Sequence, residues 1–578
     1  MGKRVATKAR NVRTAPEGRS KAPEELKSKW GLSRWAKVAS GVGALILFLT
    51  IYLLRLDKVV GMIVDDAWYV LLAKGLAIGK GYTLINSPSP GIVPFYPPAF
   101  PMLLSLVYRL SPDFPSNVWL LKSISIAAML GVGLVAFYYF FRDRRLPFYL
   151  ALGIAVATIF YPALVFLATS TVMSECVFTL VLLSTIVVID QVVRVEPRSH
   201  AWRYALLGGA LASVAFLTRS VALALIIAAM LYLLKERLIR AAVIFGAVVV
   251  LFVAPWMLYA GRHAPTAEQR VEQSGNIVQS YAAQFWQKKA GQPMLGTITI
   301  DDLPERVWTN GSEIIRYDLG SIAFYPLFRP PEPGLAMRID KEARGLSLVL
   351  SLLALIGWVS LIRERMTVAE ITVPLSLLIT VAWGWEQFRL LLPLVPFLIF
   401  YLLMGIRVIY RLYHRLYGVS KPQAEWALLT IIVWSMGVVS VYNNLSYILK
   451  KHVPTPDYSL LWTPAFEENE AVMRYVHATL PKSEVIATQN PALLHLYTGH
   501  QTIASDDPAG SWETWNRLGV RYLVRTSAYR LPDPDAAESQ YKIIYRSNGI
   551  LNLRVIDLGL PGSRPVWGAV KAPALSKQ

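Results

Sequence analysis

Runs of about twenty residues without a charged side chain recur along the whole sequence, and they leave the chain few choices. A run of that length crosses the hydrocarbon core of a bilayer as a helix. Inside lipid each backbone N–H and C=O must find its partner within the chain, so only helices or closed barrels cross, and these runs lack the alternation of barrel strands. The spacing predicts an all-α polytopic membrane bundle of about eleven helices. Its spans fall near 37–56, 118–141, 146–167, 174–193, 203–217, 220–234, 241–260, 345–362, 367–385, 389–408 and 424–445. Composition agrees: of 578 residues, 54% are apolar and 17% charged.

The net charge of +20 would suit a nucleic-acid partner, but its distribution argues against one. Arg142, Arg144 and Arg145 follow the second span, and Arg194, Arg198 and Arg203 the fourth. Lys235, Arg237 and Arg240 follow the sixth, Arg363 and Arg365 the eighth, and Arg407, Arg411 and Arg415 the tenth. All of these loops are cytoplasmic if the N-terminus is, which is the positive-inside pattern. The parity requires 203–234 to be two helices. Residues 1–36 then form a basic cytoplasmic tail (Lys3, Arg4, Lys8, Arg10, Arg13, Arg19, Lys21) suited to anionic membrane lipids, and no early apolar run marks a cleaved signal. The single Cys176 permits no disulfide framework and no thiolate metal site. A prokaryotic inner membrane is the expected location.

This topology turns three regions outward around a membrane module of residues 37–445: loops 57–117 and 261–343, and a C-terminal domain, 446–578. The last reads as a small extracytoplasmic α/β domain. It has a helix over Glu467–Leu480 stopped by Pro481, strands at Glu484–Thr488 and Tyr522–Arg525, and a hairpin pairing Tyr541–Tyr545 with Ile550–Val555. His495 and His500 read as surface residues. In loop 261–343, Trp286, Trp308 and Tyr317 mark amphipathic helices covering a site.

The first outer loop carries Val64-Asp65-Asp66-Ala67-Trp68-Tyr69, then Lys74, then Phe95-Tyr96-Pro97-Pro98. Asp65 and Asp66 open a stretch in which Trp68, Leu71, Leu72 and Leu76 share one helical face, as in a helix lying on the membrane surface. Adjacent helical residues point about 100° apart, so the two acids do different jobs. Glu175 ends the fourth span between apolar neighbours, where an acid is costly unless it pairs or works. Arg219 lies at the outer turn between the fifth and sixth spans, and Arg389 opens the tenth. Acids and arginines converging on one membrane face suit a phosphate-bearing lipid.

In this order and spacing the residues resemble the GT-C membrane glycosyltransferases, in the branch of protein O-mannosyltransferases and lipid A aminoarabinose transferases. The resemblance rests on Asp65-Asp66 with Tyr69, Tyr96-Pro97-Pro98, Ser174-Glu175, Thr218-Arg219, Pro255-Trp256 and Arg389–Pro396. Two departures separate the chain from the aminoarabinose transferases: Trp68 stands where they carry Arg, and Phe95-Tyr96 where they carry an acidic–basic pair. The resemblance implies a GT-C-like bundle and Asp65 as the essential carboxylate. It also implies a polyprenyl-phosphate-linked sugar donor, with a glycan, glycolipid or protein acceptor in the cell envelope.

The chemistry expected is inverting transfer with Asp65 as general base and Asp66 and Glu175 beside it. Arg219, Arg389 or Lys74 would meet the donor phosphate, and Tyr69, Tyr96 and Trp256 would line the substrate pocket. A phosphate leaves as a stable anion, so no second acid need protonate it, unlike the pair in glycoside hydrolases. Three hard oxygen ligands would suit Mg²⁺ or Mn²⁺, but the closer branch works without metal, so no cofactor is expected. The rival function is a lipid or glycolipid transporter or flippase without transferase activity. Against it stand the absence of an inverted repeat and the position of the acids in an outer loop.

Overall fold

The computed structural model describes residues 33–62, 65–89, 96–263, 281–290, 295–325, 343–385, 387–417, 422–450, 462–505 and 508–567, with 266, 269 and 272 singly. The basic residues from Lys3 to Lys21, and Val64, Phe95 and Glu386 of the motifs, lie outside them. The chain divides into two units at Leu49 and Thr50. The first, described from Ser33, is the apolar N-terminal part of the helix Arg34–Arg55. The candidate site and the C-terminal region both lie in the second.

Among the described residues, eight helices are long and apolar enough to cross a membrane. The pair Phe148–Ile159 and Pro162–Thr169, bent by 51°, passes the same length and composition test when taken together, as a broken span or a re-entrant loop would. The chain is an integral membrane protein. Each of the eleven predicted spans falls on an apolar helix, but not all have full length. The predicted spans 220–234 and 367–385 are the shorter helices Ser220–Lys235 and Val368–Ala382. The second, with 15 residues, reaches about 22 Å at 1.5 Å per residue, short of a hydrocarbon core of about 30 Å. The third span breaks because Pro162 lacks an N–H and restricts Tyr161, which sits outside the helical region (φ −57°, ψ 117°). The expected split of 203–234 is present: the helix Ala201–Thr218 ends, Arg219 is extended, and a 3₁₀ turn Ser220–Ala222 precedes Leu223–Lys235.

Helices Arg344–Arg365 and Val395–Leu416 approach until their backbones touch. A Cβ on Gly357 would stand 1.9 Å from the Tyr401 carbonyl oxygen, and one on Gly405 1.8 Å from that of Leu353. Small residues allow this in membranes, where dispersion rather than water expulsion holds helices together. Basic residues of the predicted cytoplasmic loops pair at one end of the bundle, Arg144 with Glu370, Arg194 with Asp143 and Arg407 with Glu425. The candidate site is at the other end, because Glu175 and Arg194 terminate the same helix.

The C-terminal region holds a five-stranded mixed sheet in the order β2-β1-β3-β5-β4. The strands are β1 Val485–Thr488, β2 Gln501–Ala504, β3 Val520–Arg525, β4 Lys542–Arg546 and β5 Arg554–Asp557. β1 runs parallel to β2 and β3, whereas β5 is antiparallel to β3 and β4. Trp512 and Trp515, on the helix Pro508–Arg517, pack with Val485, Ile503, Leu523 and Ile556 as its core. β1, β3 and β4 lie within two residues of the predicted strands, whereas the second arm of the hairpin, expected at Ile550–Val555, begins at Arg554. β2 and the helices Pro491–Thr498 and Pro508–Arg517 are additions. His500 is buried rather than on the surface, with Nε2 3.2 Å from the Leu480 carbonyl, and Nδ1 of half-buried His495 lies 2.7 Å from the His500 carbonyl. The predicted site-covering loop contributes Tyr281–Phe285 and Leu303–Glu313 as helices, the latter with Trp308 exposed.

Candidate active site

Four charged side chains from four distant parts of the sequence meet at one end of the bundle. Asp65 opens the helix Asp65–Ala77, and Glu175 opens Glu175–Arg194. Both are placed where a helix N-terminus favours negative charge. Arg219 occupies the extended link after Thr218. Arg389 lies in the short helix Gln387–Leu391, which Pro393 and Pro396 keep separate from the long helix beginning at Val395.

Arg389 joins the two acids. Its Nη1 is 2.9 Å from Asp65 Oδ2 and its Nε 2.5 Å from Glu175 Oε1. Arg219 Nη1 lies 2.9 Å from the same Glu175 oxygen and donates to Ser174 Oγ at 3.2 Å. Two carboxylates and two guanidiniums balance, as buried ions must. The acids differ in access: the Glu175 side chain is 0% exposed and that of Asp65 27%. Glu175 Oε2 is buried with no hydrogen-bond partner among the described residues. A reactant therefore reaches Asp65 more readily.

Aromatic residues close the site around Asp65. Tyr96 donates to Asp65 Oδ1 at 2.9 Å. Burial, and then the Asp65 carboxylate beside it, push the Tyr96 phenol up, so it stays a neutral donor. The Tyr69 ring lies 4.7 Å from that of Tyr96 and meets Phe100 edge-on at 5.1 Å, and its hydroxyl is 3.3 Å from Ser174 Oγ. Trp256 is further out: it meets the Tyr82 ring edge-on at 5.6 Å, and the Tyr82 hydroxyl donates to the Tyr96 carbonyl at 2.7 Å.

Asp66 turns away from this cluster. Fully buried, its Oδ2 accepts from the Gly61 amide at 2.8 Å and its Oδ1 from Ala67 N at 3.1 Å. Burial pushes its carboxyl up to about 6. Lys74 is not in the cluster either. It lies nine residues beyond Asp65, about 13 Å along a helix. Its charge neighbours His495, and burial lowers its proton affinity. The Asp65–Ala77 helix is buried on all sides from Asp66 to Ala73, so it is no half-exposed surface helix. The helices Ala99–Leu110 and Pro491–Thr498 cover the face expected to meet membrane or water.

Three participants had no role assigned from the sequence, although Ser174 stands in the Ser174-Glu175 motif. Ser174 bridges Arg219 and Tyr69. Met173 offers its sulfur to Arg389 Nη2 at 3.9 Å. Asp57 holds the chain before the acidic pair: Lys122 Nζ reaches its Oδ1 at 2.8 Å, and Ser170 Oγ donates to its Oδ2 at 2.6 Å. Lys122, 0% exposed within an apolar run, was the legible signal for the last. Among the described residues no three of His, Cys, Asp and Glu gather as metal ligands.

No protein-family profile and no curated protein matches the sequence. Solved structures do match its fold. ArnT from Cupriavidus metallidurans in the apo state superposes with a TM-score of 0.54 at 13% identity, covering 90% of this chain and 98% of that one. The same protein bound to undecaprenyl phosphate gives 0.50 at 14% identity, covering 89% and 97%. The oligosaccharyltransferase of Archaeoglobus fulgidus in the apo form gives 0.47 at 12%, covering 86% and 70%. The chain shares its fold with ArnT over nearly the whole of that protein.

Proposed function

We propose that the protein is a membrane glycosyltransferase that moves a sugar from a polyprenyl-phosphate donor to an acceptor hydroxyl, with Asp65 as general base. The observation that carries this reading is the Asp65–Arg389–Glu175–Arg219 cluster, in which the most accessible acid sits beside a guanidinium fork. The fold shared with ArnT, solved with undecaprenyl phosphate, supports a lipid-phosphate donor.

In the step proposed, the acceptor O–H proton passes to Asp65 as the oxygen attacks the anomeric carbon. The bond from that carbon to the phosphate oxygen breaks with its electron pair, and polyprenyl phosphate leaves from the opposite face, inverting the centre. Asp65 has lone pairs left for this work, since Tyr96 and Arg389 each use one. Arg389 and Arg219 stabilise the charge growing on the leaving phosphate. Glu175, enclosed behind both arginines, holds Arg389 and through it the position of Asp65. The two arginines already neutralise Asp65 and Glu175, so the reading includes no metal, and activity is expected to survive chelator. The acceptor is a cell-envelope glycan, glycolipid or protein, and the site faces away from the cytoplasm of a prokaryotic inner membrane.

The test is turnover of a panel of radiolabelled polyprenyl-phosphate sugars by purified protein, with envelope extract as acceptor. Label moving from one donor identifies the sugar. Donors that cross the bilayer unconsumed, equally with wild type and Asp65→Asn, would replace the transferase with a transporter.

The neighbouring acid gives a contrasting prediction. Asp66→Asn keeps an oxygen for the Gly61 amide, so turnover is expected within about threefold of wild type. Its stability effect has a sign. The folded-state value of about 6 lies above the usual 3.8, so the ionised form costs stability above pH 6, and the cost fades as pH falls toward 4. The variant should therefore gain on wild type in thermal midpoint near pH 7 and lose that advantage near pH 4. A ten-fold loss of turnover would instead put Asp66 in the chemistry.

A further inference from the structure

The chain before the acidic pair is held from a part of the sequence more than four hundred residues away. Asn490 is the N-cap of the helix Pro491–Thr498, where its Oδ1 accepts from Leu493 N at 3.2 Å. Its Nδ2 donates to the Gly61 carbonyl at 2.5 Å. The Gly61 amide in turn donates to Asp66 Oδ2, next to Asp65. Gly61 has φ +84°, a conformation that favours glycine, and a Cβ there would press on Leu493 Cδ1 at 2.5 Å. Two more contacts tie the same loop to the C-terminal region. Thr502 N on β2 donates to the Asn86 carbonyl at 2.8 Å, and the Phe114 and Tyr497 rings meet edge-on at 4.9 Å.

The residue type is informative. An N-cap needs only an acceptor, and Asp, Ser or Thr would serve. Asn490 uses both ends of its amide, one for the cap and one for Gly61, and the second use has no role in the helix. We infer that the C-terminal α/β region is part of the catalytic scaffold, and that Asn490 is a positioning residue that fixes the Gly61 turn and thereby the place of Asp65. This rests on the reading of Asp65 as the base. A misplacement of about 1 Å in a reacting group costs on the order of 10²-fold in rate, so a turn freed at Gly61 is felt in turnover before it is felt in stability.

The two uses separate by mutation. Asn490→Asp keeps the cap and turns a carboxylate on the Gly61 carbonyl, and Asn490→Ser keeps the cap without added charge. Both are made in the full-length protein. The expected result is a fall in kcat of about ten-fold or more at unchanged donor KM, with the thermal midpoint near wild type for Asn490→Ser and lowered for Asn490→Asp, whose carboxylate repels the carbonyl oxygen. Hydrogen exchange should quicken at 57–62 and 65–70 while β1 and β3 stay protected. Unchanged kcat and exchange would reduce Asn490 to a helix cap, and faster exchange at unchanged kcat would remove its link to Asp65. A wild type that consumes no donor would sink the glycosyltransferase reading instead, and exchange would still show whether Asn490 holds the turn.

Discussion

Asp65→Asn is expected to slow transfer by roughly 10²–10⁴-fold, the usual contribution of a positioned base, without unfolding the protein. The substitution is nearly isosteric. Its Oδ1 still accepts from Tyr96, now at 2.9 Å from Asp65. What changes lies on the other oxygen, where an amide donor would face the donors of Arg389 or rotate away. Arg389 keeps Glu175 at 2.5 Å and stays in place. It also loses one of its two anions, so its attraction for an incoming phosphate rises. Donor affinity should therefore be undiminished while kcat collapses, as when an interaction made only in the transition state is removed. Single-turnover rates and equilibrium donor binding on wild type and variant check this. A variant within ten-fold of wild type would dismiss Asp65 as the base.

The cluster was legible because membranes make charge conspicuous. Glu175, Arg219 and Arg389 each stand at the end of an apolar run, and few other charges interrupt those runs on that side. That two adjacent aspartates differ followed from helix geometry, but which faces the arginine did not. Asp66 is turned by Gly61, and Gly61 is fixed by Asn490, a partner 429 positions on. The Asp65–Ala77 helix reads as half-exposed for the same reason, since one of the helices covering it, Pro491–Thr498, comes from the far end of the chain. Lys74 was a candidate through sequence proximity, yet one helix carries it about 13 Å from Asp65. The bend at Tyr161-Pro162 was present as a proline signal inside a run that hydropathy alone reads as continuous.

Glu175→Gln tests the other half of the site and should damage stability as well as rate. Glu175 Oε1 receives both Arg389 Nε and Arg219 Nη1, and the side chain has no solvent to take its place. A neutral amide leaves two guanidiniums facing each other with Asp65 as their one remaining carboxylate. Breaking a buried ionic network costs about 3–5 kcal/mol. The lower end applies here, because the Arg219 and Arg389 side chains are 14% and 21% exposed. Arg389 would shift toward Asp65, so turnover falls even in the fraction that stays folded. Removing one of the stranded charges should recover part of the loss. Glu175→Gln with Arg219→Gln is therefore expected to unfold at a higher temperature than Glu175→Gln alone, although each single change destabilises. Thermal unfolding in detergent of wild type, both singles and the double completes the cycle. Strictly additive losses would mean that Arg219 and Glu175 do not act on one another, and the cluster would dissolve into separate pairs.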